Sequence, residues 1–419
     1  MRAARRIRSG PSGEPRESRT DSLLQGVECG PLRATISAVN TEAAVAAVRE
    51  GVANRTPLRI GGRANWLSAG RPVKATKTLS VRDDSGVVSY VPGDLTLTMR
   101  AGTTLAEIAR ITGEHDQWLP LDPFGSDDGT IGATIATASA GPLATGFGSP
   151  RDLLLGLEFV NGRGEIVRAG GKVVKNVAGF DLSRLLTGSW GTLGVITEVT
   201  VRLYARPKVD RTFAVSLGRG QKSTTELLRA LAASPLAPFA LEILNGAAAL
   251  SLGFGDNPTL LVRFGGNAPV VDVQLKAFSQ LARTEEVEQS TWAAFRQMDG
   301  DAGSVIRIST LPTRFLGAAS SILADTEPRV VISINPRRGM MRLVTRDDGD
   351  RDPATVVDAG ILLDLPTDGQ GAGTSVIFET LPAEVWPVVS PSVASDPLSR
   401  GIKKAYDPYN ILNPGILGD

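Results

Sequence analysis

Three stretches of this chain combine residue types and spacing that could do chemistry. The first is RIGGRANWLSAGRPV, Arg59 to Val73, where a strand pattern runs into Gly61 and Gly62. Small consecutive residues let successive backbone N–H groups point into one concavity, which can hold a phosphate or pyrophosphate without a lysine. The G-x-G-x-x-G spacing is absent, and an ordinary strand–turn–helix link accounts for the same text. The second is GSDDGTIGATIATASAGPLATGFG, Gly125 to Gly148. Thr130, Gly132, Thr134, Thr137, Ser139 and Gly141 mix hydroxyls with bare glycines. A planar or anionic ligand could reach the main chain there and still meet O–H donors. A glycine-rich surface loop is the alternative, although Ile131 and Ile135 are apolar for a segment facing solvent.

The third stretch, GGKVVKNVAGFDLSRLLTGSWGTLGVITEVTVRLYARP, runs from Gly170 to Pro207 and holds six glycines. Asp181 is placed to cap a short helix, and the later glycines would let the backbone approach a large flat molecule before a strand begins at Val195. Lys175 and Asn176 can donate towards that ligand or brace the loop. A solvated loop lysine fits Lys175 equally well.

What is missing narrows the chemistry further. The single cysteine, Cys29, and the single histidine, His115, exclude a disulfide framework, an iron–sulfur site and an ordinary zinc site. His115 lies in TGEHDQWLPLD, read as a surface turn after a helix. Forty-five basic residues against forty-four acidic ones give no electrostatic footprint for nucleic acid or an anionic membrane. No apolar run approaches the roughly 20 residues needed to cross a bilayer. The opening MRAARRIRSGPSGEPRESRTDS lacks an apolar signal core and reads as a disordered basic tail over residues 1–31.

The 419 residues imply two or three domains. ATISAVN should lead into a helix opening after Asn40 or Thr41, followed by the strand PLRI. Strands are expected at Val87–Val91 and Leu95–Arg100, with Thr104 and Glu107 as a capping box for a helix through Gly113. LEFV, NGRG and EIVRA form a hairpin signal, with Asn161 and Gly162 suited to positive φ. Val199, Val201 and Leu203 alternate with Thr200, Arg202 and Tyr204 as a half-buried strand. After Pro207, a helix capped by Ser223 with Glu226 and the strand patterns LEILNG, TLLVRF, SVIRIST, RVVISIN and TSVIFETL suggest an α+β unit on a largely antiparallel sheet. LSRGIKKAYDPYNILNPGILGD ends a helix at Asp407 and Pro408 and closes on an Asn413-Pro414-Gly415 turn.

Taken together, PGDLTLTMRAGTTLAEI, QWLPLDP, GTIGATIATASAGP, the segment from Arg151 to Pro207 and the closing DPYNILNPG resemble the flavoenzyme superfamily of vanillyl-alcohol oxidase and p-cresol methylhydroxylase. Within it, the text is most similar to the E-type FAD-binding subunits of bacterial glycolate oxidase. The resemblance runs from about Leu32 to Gly415 and is strongest between Pro92 and Pro207.

The resemblance implies an α+β fold: a two-subdomain FAD-binding domain of the p-cresol methylhydroxylase type over 32–207, a cap domain over 208–385, and a segment over 386–419 returning to the first domain. FAD would lie with its pyrophosphate against Gly61, Gly62 and Asn65. Thr130, Ile131, Gly132, Thr134, Ser139 and Gly141 would run along diphosphate and flavin. Gly191, Gly194, Val195 and Ile196 would meet the ring or adenine edge, with Lys175 and Asn176 nearby. Relatives carry a glycine where Ala64 and Ala133 stand, which bears on cofactor affinity. Covalent attachment through histidine is not expected with Arg63 and Ala64 in that loop, so FAD should be noncovalent.

The resemblance also implies an FAD-dependent oxidoreductase, a subunit of a complex oxidising glycolate to glyoxylate. Its partners would be a catalytic D-type FAD subunit, an iron–sulfur subunit and a small 2-hydroxy acid, and its location cytoplasmic or peripheral to the inner membrane through those partners. The D-type relatives have a histidine-rich signature in the cap and a Glu where this chain has Trp190. With no histidine after position 115, the usual hydroxy-acid base is missing. Arg307 in the cap could offer a bidentate guanidinium to a carboxylate, and Asn413 would return towards the flavin. Two alternatives stay open: a stand-alone FAD oxidase or dehydrogenase of a sugar or 2-hydroxy acid, and a non-catalytic scaffold that has lost FAD.

Overall fold

The structure is a computed structural model, and it describes residues 34–63, 65–66, 68–171, 181–218, 221–300, 302–315, 323, 330–346, 374–387, 389 and 396–418. Lys175, Asn176 and Ala64 therefore lie outside the described residues, as does the basic N-terminal stretch.

The chain opens with strand β1 (Ala34–Ser37), helix α1 (Thr41–Ala53), strand β2 (Leu58–Gly61) and strand β3 (Lys77–Ser80). Asn40 caps α1 by accepting the Ala43 N–H, so the helix starts where a short polar side chain can replace the missing intrahelical bond. The three strands form a small parallel sheet in the order β1-β3-β2. Its core is built from Ala44, Val48, Leu58 and Leu79, with Ile411 and Leu412 joining from the far end of the chain.

A five-stranded antiparallel sheet follows, from β4 (Val87–Val91), β5 (Thr96–Arg100), β7 (Leu154–Val160), β8 (Ile166–Gly170) and β9 (Val195–Arg202), in the order β4-β5-β9-β7-β8. Leu95 takes a left-handed φ of 52° to close the turn at Pro92–Asp94, so β5 begins one residue later than its pattern suggests. Because β9 is central, Thr200 is buried as well as its apolar neighbours; the strand is not half-exposed. In the β7–β8 hairpin the positive φ falls at Gly164, not at Asn161 or Gly162. Asn161 instead organises the turn by accepting the N–H groups of Arg163 and Glu165.

Helix α2 (Leu105–Gly113) is capped by Thr104, which accepts the Glu107 N–H. The small-residue stretch is not a surface loop: it contains helix α3 (Ile131–Thr137), capped by Thr130. Ile131 and Ile135 are fully buried and enter the core shared with Leu97, Met99, Phe159 and Val199. The two-residue strands β6 (Gln117–Trp118) and β10 (Tyr204–Ala205) pair nearby.

The remainder is dominated by an eight-stranded antiparallel sheet. Its strands are β11 (Val209–Ser216), β12 (Ala240–Leu244), β13 (Thr259–Gly266), β14 (Glu285–Val287), β15 (Ala302–Ser309), β16 (Val330–Asn335), β17 (Met340–Arg346) and β18 (Ser375–Thr380). Their order is β14-β11-β13-β12-β16-β17-β15-β18. Both faces are covered: Leu241 and Ile243 join one core, Ala240 and Leu244 the other. That is why LEIL reads as an unbroken apolar run apart from Glu242. The helix Gln221–Ala233 begins two residues before Ser223, so the expected cap at Ser223 does not mark its start.

An aromatic cluster ties this sheet to the first part of the chain. Phe147 packs against Trp118, Tyr204 and Phe239 with centroid distances of 5.3, 5.1 and 4.7 Å. Gly146 sits close against this contact, where a Cβ would come within 2.9 Å of the Phe239 backbone.

Candidate cofactor and substrate site

A cavity of about 560 Å³ lies between the first two sheets and the eight-stranded sheet. On one side the loop after β2 contributes Gly61, Gly62, Asn65 and Trp66. Helix α3 and its cap contribute Thr130, Gly132, Ala133, Thr134 and Thr137, followed by Ser139. The turn into β9 adds Trp190, Gly191, Gly194 and Ile196, and the chain's last turn adds Asn413 and Ile416. Facing them from the eight-stranded sheet, and from the helix Ser290–Arg296 and the turn that lead into β15, are Arg296, Asp299, Arg342, Glu379 and Thr380.

Not every expected residue reaches this cavity. Ile131 and Val195 are fully buried in hydrophobic cores and do not line it. Gly141 does not line it either: a Cβ there would fall 1.8 Å from the Asp122 carbonyl, so its glycine answers to a backbone crossing. Arg307 is turned to Glu379, Nε to Oε1 at 2.8 Å, and stays away from the cavity wall. His115 is exposed and edge-on to Tyr90 at 5.4 Å.

The glycines that do line the cavity are held tight from behind. A Cβ on Gly62 would meet Thr130 Oγ1 at 2.5 Å, one on Gly132 the Ala101 Cβ at 2.7 Å, and one on Gly194 the Phe159 ring at 2.4 Å. Gly191 has φ +70°, and its Cβ would strike the Asn413 amide at 2.8 Å. Side chains are thus excluded by the protein's own packing, and main-chain atoms are left as the wall towards the cavity. Thr134 and Thr137 donate their hydroxyls back to the carbonyls of Thr130 and Ala133, whereas Thr130 and Ser139 also line the wall, and together with the bare main chain this is a surface that suits a long, flat, polyanionic dinucleotide. Ala133 is accommodated at the wall.

Asn413, at φ +45°, is buried and fully engaged: Oδ1 accepts the Ile60 N–H and Nδ2 donates to the Trp190 carbonyl, both at 2.7 Å. Its role is to fix two walls of the cavity. Trp66 and Trp190 lie with ring centroids 6.5 Å apart and give the same side an aromatic face.

The opposite side is ionic. Arg342 donates from Nε and Nη2 to Asp299, and its Nη1 is 2.6 Å from Glu379 Oε2. Its guanidinium also sits 4.0 Å from the Phe124 ring centroid. Arg307 and Arg342 are directly opposed on β15 and β17, a repulsive pair that Glu379, reaching both, neutralises. Burial alone would raise the Glu379 carboxyl, but the charges and hydrogen bonds of Arg342 and Arg307 outweigh it and hold it below its usual range. Burial opposes the charge on Arg342 as well, and Glu379 and Asp299 overcome it, holding the guanidinium firmly protonated. Sequence reasoning missed Arg342 because MMRLVTR was not recognised as a strand; its alternation of Met341, Leu343 and charged neighbours was the available signal.

Among the described residues no group of three or more His, Cys, Asp or Glu side chains is placed to hold a metal ion. No described helix is long and apolar enough to cross a membrane.

Comparison with known proteins makes this chain an FAD-binding flavoprotein. A family described as FAD binding domain matches residues 32–170. The glycolate oxidase subunit GlcE of Escherichia coli (strain K12) is 35% identical over 259 residues, 61% of this chain and 68% of that one. GlcD of Bacillus subtilis (strain 168), a glycolate oxidase subunit, is 31% identical over 210 residues, 50% of this chain and 42% of its own length. A mitochondrial D-lactate dehydrogenase [cytochrome] of Arabidopsis thaliana is 26% identical over 77% of this chain and 62% of that protein. In three dimensions, p-cresol methylhydroxylase superposes with a TM-score of 0.68 over 92% of this chain and 88% of that one; at 17% identity the likeness is one of fold. The chain belongs to the family of FAD-dependent oxidoreductases that includes glycolate oxidase subunit GlcE.

Proposed function

We propose that this chain is the FAD-binding, E-type subunit of a glycolate oxidase complex, in which glycolate is oxidised to glyoxylate and electrons pass through flavin to an iron–sulfur partner. In this reading the base that takes the hydroxyl proton belongs to a D-type partner. The names of the relatives GlcE and GlcD support a complex of several subunits.

The observation that carries the reading is the state of the ionic side of the cavity. Oxidation of a 2-hydroxy acid needs a base for the hydroxyl proton and a cation for the carboxylate. Both carboxylates that line the cavity, Asp299 and Glu379, are committed to Arg342, so what the cavity lacks is the base; arginines, Arg63 and Arg296 among them, line it as well. Its described lining residues include no His, Lys, Tyr or Cys. FAD, when bound, supplies a two-electron acceptor. The chain's own residues would hold it: main chain at Gly61–Gly62 and Gly191–Gly194, the Thr130 and Ser139 hydroxyls at the two ends of α3, and Asn413 bracing the loops.

The test is anaerobic spectroscopy of the purified chain. It should be yellow, release its flavin on heating, and keep its absorbance when glycolate is added. Turnover by the assembled complex should be lost when this chain is left out. Bleaching of the chain's flavin by glycolate alone would overturn the division of labour, and a colourless chain that takes up no FAD would overturn the cofactor assignment.

A further inference from the structure

Just past Ser139, at the end of the cofactor wall, the chain enters the short helix Ala144–Phe147 and docks on the eight-stranded sheet. The Gly146 N–H donates across this contact to the Phe239 carbonyl at 3.0 Å. Asn335, at the end of β16, spends both amide N–H groups here, one on Thr145 Oγ1 at 2.7 Å and the other on Glu242 Oε1 at 2.9 Å. Its Oδ1 accepts the Arg338 N–H, so the side chain is held from three directions. Glu242 is thereby built into the seam between the two halves of the chain, and it does not line the cofactor cavity.

The carboxyl of Glu242 is poorly placed for a charge. The residue is 6% exposed on β12, beside Ala240 and Leu244 of an apolar core and opposite Leu261 of β13. Among the described residues it has no ion-pair partner: Arg338, in the turn between β16 and β17, acts on it only through space. Asp152 and Asp122 draw on the same guanidinium, and Arg307 repels it. From the facing segment comes Asp122, half-buried, which accepts the Leu143 N–H and has Arg296 and Arg263 as its own favourable cations. Burying an unpaired carboxylate favours the protonated form, so Glu242 is raised to about 8 and Asp122 to about 7. Above both values two anions share the seam. Water would relieve them, and it enters only if the seam parts.

We propose that the contact between residues 122–147 and the eight-stranded sheet is a proton-operated clasp, closed while Glu242 is neutral and loosened when it ionises, so that retention of FAD depends on pH. The link to the cofactor is one of chain continuity. Helix α3 and Ser139, which wall the cavity on one side, run directly into the helix that makes the contact. Arg342 and Glu379, which wall it on the other, stand on the same sheet as Glu242. Parting the seam therefore moves the two walls of the cavity away from one another. The clasp needs FAD in that cavity and is independent of the reading of the chain as a glycolate oxidase subunit.

The experiment follows hydrogen exchange by mass spectrometry on the full, FAD-loaded chain, corrected for the intrinsic effect of pH, with FAD release read by its fluorescence. Between about pH 6 and about pH 9 the protection of Ala144–Phe147 should fall about tenfold in the wild type, and FAD release should quicken by a similar factor. Helix α1, which packs in a separate core, should keep its protection. Glu242→Gln preserves the acceptor for Asn335 and removes the titration, so both readings should stay level across the range. Constant protection in the wild type, or an equal fall in the variant, overturns the clasp. Loss of protection at α1 in step with Ala144–Phe147 means that the whole chain is unfolding, and overturns it as well. Opening of the seam with no change in FAD release overturns the link to retention. A chain that takes up no FAD defeats the cofactor assignment and that link together, while exchange at Ala144–Phe147 still decides whether the seam opens.

Discussion

Asn413 and Trp190, 223 positions apart, are joined by a hydrogen bond from the asparagine amide to the tryptophan carbonyl at 2.7 Å, and both residues hold left-handed backbone angles. The same amide accepts the Ile60 N–H, so one side chain sets the spacing between the loop after β2 and the turn before β9. Asn413→Ala would leave a buried donor and acceptor unpaired and put a less tolerant residue at positive φ. The expected loss is about 2–4 kcal/mol in chemical denaturation, with flavin content of the purified chain falling in parallel.

Gly62→Ala tests the cofactor wall itself. The added methyl would press on Thr130 Oγ1, the cap of α3, and displace the loop or the cap. FAD affinity, read by titration of the apoprotein, should fall by about tenfold, while the stability of the chain without cofactor falls by about 1–2 kcal/mol.

Glu379→Gln would leave Arg342 and Arg307 facing one another with half their neutralisation gone. Removing one member of a buried ion network typically costs about 3–5 kcal/mol. The pH dependence follows from the depressed folded pKa of Glu379: its contribution is present above the unfolded value and is lost as pH falls through the folded one. Wild type and variant should therefore converge in stability on acidification and diverge towards neutrality, as thermal melts across pH will show.

Glu242 behaves in the opposite sense. It lies buried on β12, accepts from Asn335, and burial pushes its carboxyl up to about 8 despite that hydrogen bond and Arg338. Asn335 also donates to Thr145, so the group sits where the eight-stranded sheet meets the small-residue stretch. Nearby Asp122, its carboxylate desolvated although it accepts the Leu143 N–H and faces Arg296 and Arg263, is raised to about 7. A folded pKa raised above the unfolded one means that folding takes up protons, so stability declines as pH rises from about 4.5 to 8. Glu242→Gln keeps the acceptor for Asn335 and removes the titration. It should match wild type near pH 5 and exceed it by a few kcal/mol near pH 9.

The glycine and threonine side of the cavity is more legible in the sequence than the ionic side, for a physical reason. Thr130, Gly62 and Gly191 announce themselves because close backbone approach admits few residue types. Arg342, Asp299 and Glu379 come from separate strands and a turn, and only the pairing of β15 with β17 and β18 brings them together. No local pattern encodes that meeting. Gly141 and Gly132 show the converse limit: a glycine demanded by protein backbone reads the same as one demanded by a ligand. Arg307 was attractive as a free cation until its cross-strand neighbour was known.

The isolated bridge between Leu58 and Leu412, with the Leu58 N–H donating to Ile411 and the Asn413 N–H to Leu58, covers the edge of the first sheet with a segment made hundreds of residues later. During synthesis β2 emerges early and must wait. The cavity wall that Asn413 braces cannot be completed until translation has passed that residue, so a chain stopped short of it would carry both halves of the wall without the clasp between them.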